Sequence, residues 1–162
     1  MSHPLRRDDL EIHDPIRIEE ILSRAKYATL ALTDREQPYA VTLSCGYDFE
    51  RSRLCFHVAR EGRKLDIIAR NPRACATVVV DNGYLKGECA HPYESVVMFG
   101  WCRLLTEPED VRAGMRTLIG QLETAEDTER IWAKHRLDTL EALERFSLLS
   151  FEIESLTAKT GR

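Results

Sequence analysis

Residues 54–68 carry two different periodicities back to back, and this junction constrains the chain more than any other stretch. From Leu54 to Ala59 the residues alternate, with Leu54, Phe56 and Val58 on one face and Cys55, His57 and Ala59 on the other, which predicts a strand. After a short break at Gly62, Leu65, Ile68 and Ala69 recur at helical spacing until Asn71-Pro72 stops the pattern. Arg63 and Lys64 therefore fall in the first turn of a helix. The positive end of the helix field opposes them there, at a cost of about 0.3–1 kcal/mol each. The same end presents free backbone N–H groups and suits an anion, so a bound phosphate would reverse the sign of that term. A plainer reading is also open: Glu61 offsets the two cations and both side chains lie in water.

The rest of the chain predicts a helix after Asp14-Pro15, with Ile18, Ile21, Leu22 and Ala25 on its apolar face. Strands are expected at 27–33 and 39–45, joined by a turn at 34–38, and Gly46-Tyr47-Asp48 reads as the start of a loop. Residues 74–80 are rich enough in β-branched side chains for a buried strand. A polar loop is expected at 81–92, then a strand at 95–105 in which Gly100 marks a bulge or a close backbone approach. Glu107-Pro108 opens a helix whose buried stripe is Val111, Met115, Leu118, Ile119 and Leu122. Residues 125–143 read as one helical region, and Leu149, Phe151 and Ile153 as a half-exposed closing strand. Connections between the first strands are too short for crossover helices, so antiparallel pairing follows. Six strands with periodic inward faces could close into a small barrel. No linker, repeat or low-complexity segment divides the 162 residues, so one domain is expected, with residues 1–12 as a mobile arm.

Composition excludes more than it identifies. A net charge of −4 gives no general electrostatic reason to bind nucleic acid or an anionic membrane. No apolar run approaches the roughly 20 residues of a membrane span, and the N-terminus lacks the apolar core of a signal peptide. Five cysteines without a Cys-x-x-Cys pair suit an intracellular, cytoplasmic protein. Cys45, Cys55, Cys75 and Cys102 sit within strands, where thiols serve as small apolar groups. Cys89 and His91 could ligate a metal, but no second pair at zinc-site spacing accompanies them, so no metal is expected. His57 has two readings: a hydrogen-bonded wall residue, or a group that orients a substrate or supplies a proton, since an ordinary imidazole titrates near pH ~6.5. Tyr93, Trp101 and Trp132 fit core or subunit contacts, or stacking on a planar ligand.

The run Phe56-His57-x-Ala59-x-x-Gly62-Arg63-Lys64, with Asn71-Pro72-Arg73, Arg6-Arg7-Asp8, Pro38-Tyr39, Gly46-Tyr47 and Tyr93-x-Ser95-Val96-Val97-x-Phe99-Gly100, resembles the pyridoxamine 5′-phosphate oxidase-related flavoproteins, and among them the nitroimidazole-resistance branch. The resemblance runs over nearly the whole chain. It implies a mainly β protein with flanking helices (α+β), a six-stranded antiparallel split β-barrel that binds FMN. It also implies a homodimer with the cofactor at the subunit interface, FAD or haem being the weaker alternatives. Carried over by position, Arg63 and Lys64 would grip the FMN phosphate. Val41, Thr42 and Leu43 would line the isoalloxazine ring, and Phe56, His57, Val58 and Ala59 would lie along the cofactor. Ser95 and Val96 would approach it from a later strand, with His57 the candidate catalytic group. The chain lacks the basic, substrate-phosphate-binding C-terminal segment of the true oxidases, which points away from vitamin B6 oxidation. The implied activity is reduction of a small organic molecule, such as a nitroaromatic, through the flavin. A non-catalytic flavin or haem carrier is the alternative.

Overall fold

The computed structural model describes residues 7–161. Helix α1 (Pro15–Arg24) starts as expected: the Asp14 carboxylate accepts the Ile16 N–H at 3.0 Å, and Ile21 and Leu22 are buried. Strands β1 (Tyr27–Asp34) and β2 (Gln37–Ser44) form a hairpin whose turn is Arg35-Glu36 alone, with Arg35 at φ 58°. Pro38 therefore lies inside β2 rather than in the turn. It is tolerated because β2 is an edge strand, where a missing N–H breaks no second ladder.

Gly46–Asp48 is a strand, β3, and not a loop; it pairs with β4 (Arg53–Val58). Three residues are too few to show a period, but Gly46 has a structural reason. A Cβ there would meet the Leu118 Cα and Thr117 O at 2.9 Å, so only glycine lets helix α3 (Pro108–Leu122) approach this closely. Helix α2 (Arg63–Arg70) and strand β5 (Arg73–Asp81) follow β4 as expected, and β6 spans Tyr93–Leu104. The region read as one helix is two, α4 (Ala125–His135) and α5 (Leu140–Leu143), because Arg136 turns left-handed at φ 54° and ends the first.

Strand β7 is the largest departure. It runs Ser147–Gly161, well beyond the stretch expected, and pairs with β6 from Leu149 to its end and with β4 at its start. The register shifts at Phe99/Gly100, where Phe99 faces Ser155 and Gly100 faces Ile153, leaving Glu154 as the extra residue of a bulge. That bulge moves the inward set from Leu149, Phe151 and Ile153 to Leu156 and Ala158, so simple alternation fails across it. Gly100 is both of the things anticipated for it, since a Cβ would lie 1.9 Å from the Glu152 carbonyl oxygen.

The strands form one antiparallel sheet in the order β2-β1-β5-β6-β7-β4-β3. The sheet thus has seven strands, not six, and does not close: β2 returns alongside β4 with no ladder between them, the opening expected of a split barrel. Leu30, Phe56, Val78, Met98 and Phe151 fill the interior, while α3, α4 and α5 cover Cys55 of β4, Leu148 of β7 and Leu105 just after β6. Burying a side chain of Phe or Leu size stabilises by about 1.5–3 kcal/mol. Two ion clusters fasten the periphery. Glu94, nearly buried, takes Arg17 at 2.6 Å and Arg24 at 3.3 Å from α1, and Arg53 takes Asp48 at 3.1 Å and Asp110 at 3.5 Å. Part of the expected N-terminal arm lies outside the described residues. From Asp8 onward the chain lies along β7, where Glu11 bridges Lys159 and the Ile12 N–H donates to the Ala158 carbonyl at 2.8 Å. Among the described residues no helix is long and apolar enough to cross a membrane.

Candidate functional site

The split between β2 and β4 is bounded at one end by the start of α2. Gly62 is the N-cap, at φ 132°, a conformation that side-chain-bearing residues avoid, and it offers no capping oxygen. Its carbonyl accepts the Leu65 N–H at 2.8 Å and the Asp66 N–H at 3.2 Å. The first-turn amides of Arg63 and Lys64 therefore face outward without a side-chain cap, the arrangement that receives an anion.

The two cations differ in surroundings. The Arg63 guanidinium lies over the Tyr39 ring of β2, 5.0 Å from its centre, and 3.6 Å from Asp34 at the end of β1. Asp34 is taken mainly by Arg70, at 2.7 Å, and that hydrogen bond holds its carboxyl below the usual carboxylate range, with the charges of Arg70, Arg63 and Arg35 adding to it. Arg63 is thus steered by the carboxylate but not consumed by it, and it stays exposed. Lys64 is half-buried and has no ion pair among the described residues. Glu61, the acid of the plainer reading, bonds neither cation; Asp34 supplies the nearby negative charge instead.

From Tyr39, β2 leads away from α2 to Ser44 over five residues, about 17 Å of strand. Ala40, Thr42 and Ser44 face outward, and the Thr42 hydroxyl is 2.9 Å from that of Thr29. Val41 and Leu43 point inward and pack against the core, so a ligand outside the sheet would meet their backbone rather than their side chains. The free edge of β2 offers unpaired main-chain donors and acceptors to such a ligand.

At the far end stands His57, exposed on the outer face of β4, with the Phe146 ring edge-on at 5.7 Å. Beside it opens a cavity of about 370 Å³ lined by Ser44, His57, Met115, Leu118, Ile119, Leu122, Glu123 and Ile131. Phe56 and Val58 lie in the core, leaving only main chain to face the split, and Ala59 is exposed just beyond β4.

The structure brings Arg63, Lys64, β2 and the 57–59 segment together and leaves Ser95 and Val96 apart. Their strand, β6, is separated from β2 by β1 and β5, about 14 Å across the sheet. Val96 is fully buried inside the barrel, and Ser95 pairs with Val79 and Lys159. Trp132 is core, its indole N–H donating to Asp138 at 2.7 Å, while Trp101 stays exposed under Arg73. Cys89 is exposed at φ 51°, and His91 bonds Asp81 at 2.9 Å. Among the described residues no cluster of three or more His, Cys, Asp or Glu could hold a metal ion. Sequence reasoning gave no site role to Tyr39 and Asp34, which position Arg63, or to the helical residues that wall the cavity. Those on α3 carried only the signal of a core stripe.

The sequence profile of pyridoxamine 5′-phosphate oxidase matches residues 14–160, which include every element from α1 to β7. The chain belongs to this family. Several solved structures share its architecture. A candidate 5-nitroimidazole antibiotic resistance protein from Bacteroides thetaiotaomicron is 21% identical with a TM-score of 0.72, over 98% of this chain and 96% of that one. An FAD- and haem-binding protein from Mycobacterium smegmatis is 18% identical with a TM-score of 0.73, over 94% and 73%. A flavocytochrome from Azotobacter vinelandii is 18% identical with a TM-score of 0.75, over 99% and 73%. At these identities the likeness speaks for the fold. Among curated proteins nothing matches the chain.

Proposed function

We propose that this pyridoxamine 5′-phosphate oxidase family member binds FMN along the β2–β4 split and uses it to reduce a small organic molecule, nitroaromatics included. The observation that carries the reading is the uncapped start of α2, where two outward amides, an exposed guanidinium and an unpaired ammonium converge. Arg63 suits a bidentate phosphate contact and Lys64 acts as a point charge. The residues fit the group in length as well as in charge. A phosphate at Arg63 leaves the outer strip of Thr42 and Ser44, and the free edge of β2, for the ring and its polar rim. Bound flavin supplies two-electron transfer, and the chain supplies position and electrostatics. His57, exposed at the end of that strip, is placed to orient a substrate or hold a proton.

A homodimer completes the reading. Tyr27, Val79, Phe99 and Trp101 are exposed on the outer face of β1, β5 and β6, an apolar surface suited to a second copy. A flavin held between two copies would lie against the strand carrying Ser95, whose own side chain is buried, while Arg63 of the other copy grips its phosphate.

The test is spectroscopic. Purified protein titrated with FMN or FAD should show flavin absorbance that follows the protein through gel filtration. Anaerobic addition of a reduced nicotinamide and a nitroaromatic should then consume both. Tight flavin binding without turnover of any acceptor would favour a carrier. A Soret band in place of flavin absorbance would favour haem, which the Mycobacterium smegmatis neighbour binds.

A further inference from the structure

A cavity of about 540 Å³ between α1, β3 and α3 has most of its polar side chains already committed. Gln121 accepts the Tyr47 N–H and donates to the Leu22 and Ala25 carbonyls, Arg51 pairs with Asp48, and Arg116 lies over Trp132 and bonds Glu129. The cavity beside His57 is different. Met115, Leu118, Ile119 and Leu122 of α3 and Ile131 of α4 give it an apolar wall. Its polar groups are few: the Ser44 hydroxyl and His57 imidazole on the sheet side, and the Glu123 carboxylate at the rim. Glu123 has no ion pair among the described residues, and no lysine or arginine lines the space. An apolar slot with a few convergent polar groups is the form of a small-molecule site, and at about 370 Å³ it takes a compact ligand.

We propose that this cavity is the substrate seat and that it selects a compact ring compound bearing a protonated nitrogen. The ring packs against Leu118 and Ile131, and the cationic end meets Glu123, the only carboxylate among the described lining residues. Anionic analogues meet that carboxylate with like charge and are rejected. The substrate role rests on the flavin reading above, since the cavity lies at the end of β2 opposite Arg63; ligand binding in it does not.

Benzylamine, benzyl alcohol and phenylacetate share a ring and differ in charge, and methyl NMR of the full chain reads their binding at Ile131 and Leu118. Benzylamine should shift both sets of methyls saturably and bind at least tenfold tighter than phenylacetate. Glu123→Gln, at an exposed position, should erase the advantage of the amine over the alcohol, and Ile131→Trp, which fills the space, should abolish binding of all three. Equal affinity for amine and carboxylate, or binding that survives Ile131→Trp, would overturn the proposal. A parallel FMN titration separates the two ideas. Amine binding without flavin uptake leaves the cavity site standing and removes the flavin reading, whereas flavin uptake with no shift at Ile131 removes the substrate seat.

Discussion

Arg63 and Lys64 stand where the helix field opposes them, and the protein relieves only one of the two. Tyr39 and Asp34 receive Arg63, while Lys64 has no ion pair among the described residues. Removing Lys64 from flavin-free protein should therefore change stability by less than about 0.5 kcal/mol, a surface-like effect visible in urea unfolding. Replacing both cations by alanine should weaken FMN binding at least ~10-fold, about 1.4 kcal/mol. The cysteines give an independent check on the packing around them. Burial pushes the thiols of Cys45, Cys55 and Cys102 up to about 12, so at pH 8 they stay protonated and inert, while Cys89 is exposed. Iodoacetamide followed by mass spectrometry should label Cys89 first. Comparable labelling of Cys55 in folded protein would mean that α3 does not cover β4 as described.

At the scale of elements, the β6–β7 bulge and the docking of α2 each make a prediction. Gly100→Ala drives a methyl into the Glu152 carbonyl, so it should destabilise by about 1–3 kcal/mol or more, measured by chemical denaturation. Asp34 is held below its unfolded value, near ~3.9, by its bond to Arg70. Its stabilisation is present above that unfolded value and is lost as the pH falls through the lower folded one. The urea midpoint should drop between pH 5 and pH 3 by less in Asp34→Asn than in the parent. Most elements were legible because their periods are clean: α1, β4 and α2 lie where the spacing puts them. Strand β3 was too short to carry a period, β7 was cut in half by a parity change at Glu154, and the break at Arg136 depends on one backbone conformation. The site divides along the same line. Arg63 and Lys64 were visible as charges in the wrong place. Tyr39, Asp34 and the cavity wall emerge only once distant segments meet, since a core stripe and a ligand wall are the same pattern on one helix.

At the scale of the whole molecule, the exposed face carrying Tyr27, Val79, Phe99 and Trp101 and the split carrying Arg63 are two parts of one assembly in the account proposed above. Phe99→Asp should then yield monomers by sedimentation velocity and lower flavin affinity together, although Phe99 is remote from Arg63 in the sheet order. A monomeric variant that keeps full flavin affinity would place the cofactor within a single chain. The central claim, a nucleotide phosphate seated at the start of α2, is tested most directly by comparing FMN with riboflavin, which differ only in that phosphate. Isothermal titration should give FMN at least a ~10-fold advantage in the parent protein and none in the Arg63→Ala/Lys64→Ala variant; the same advantage in both proteins would contradict it.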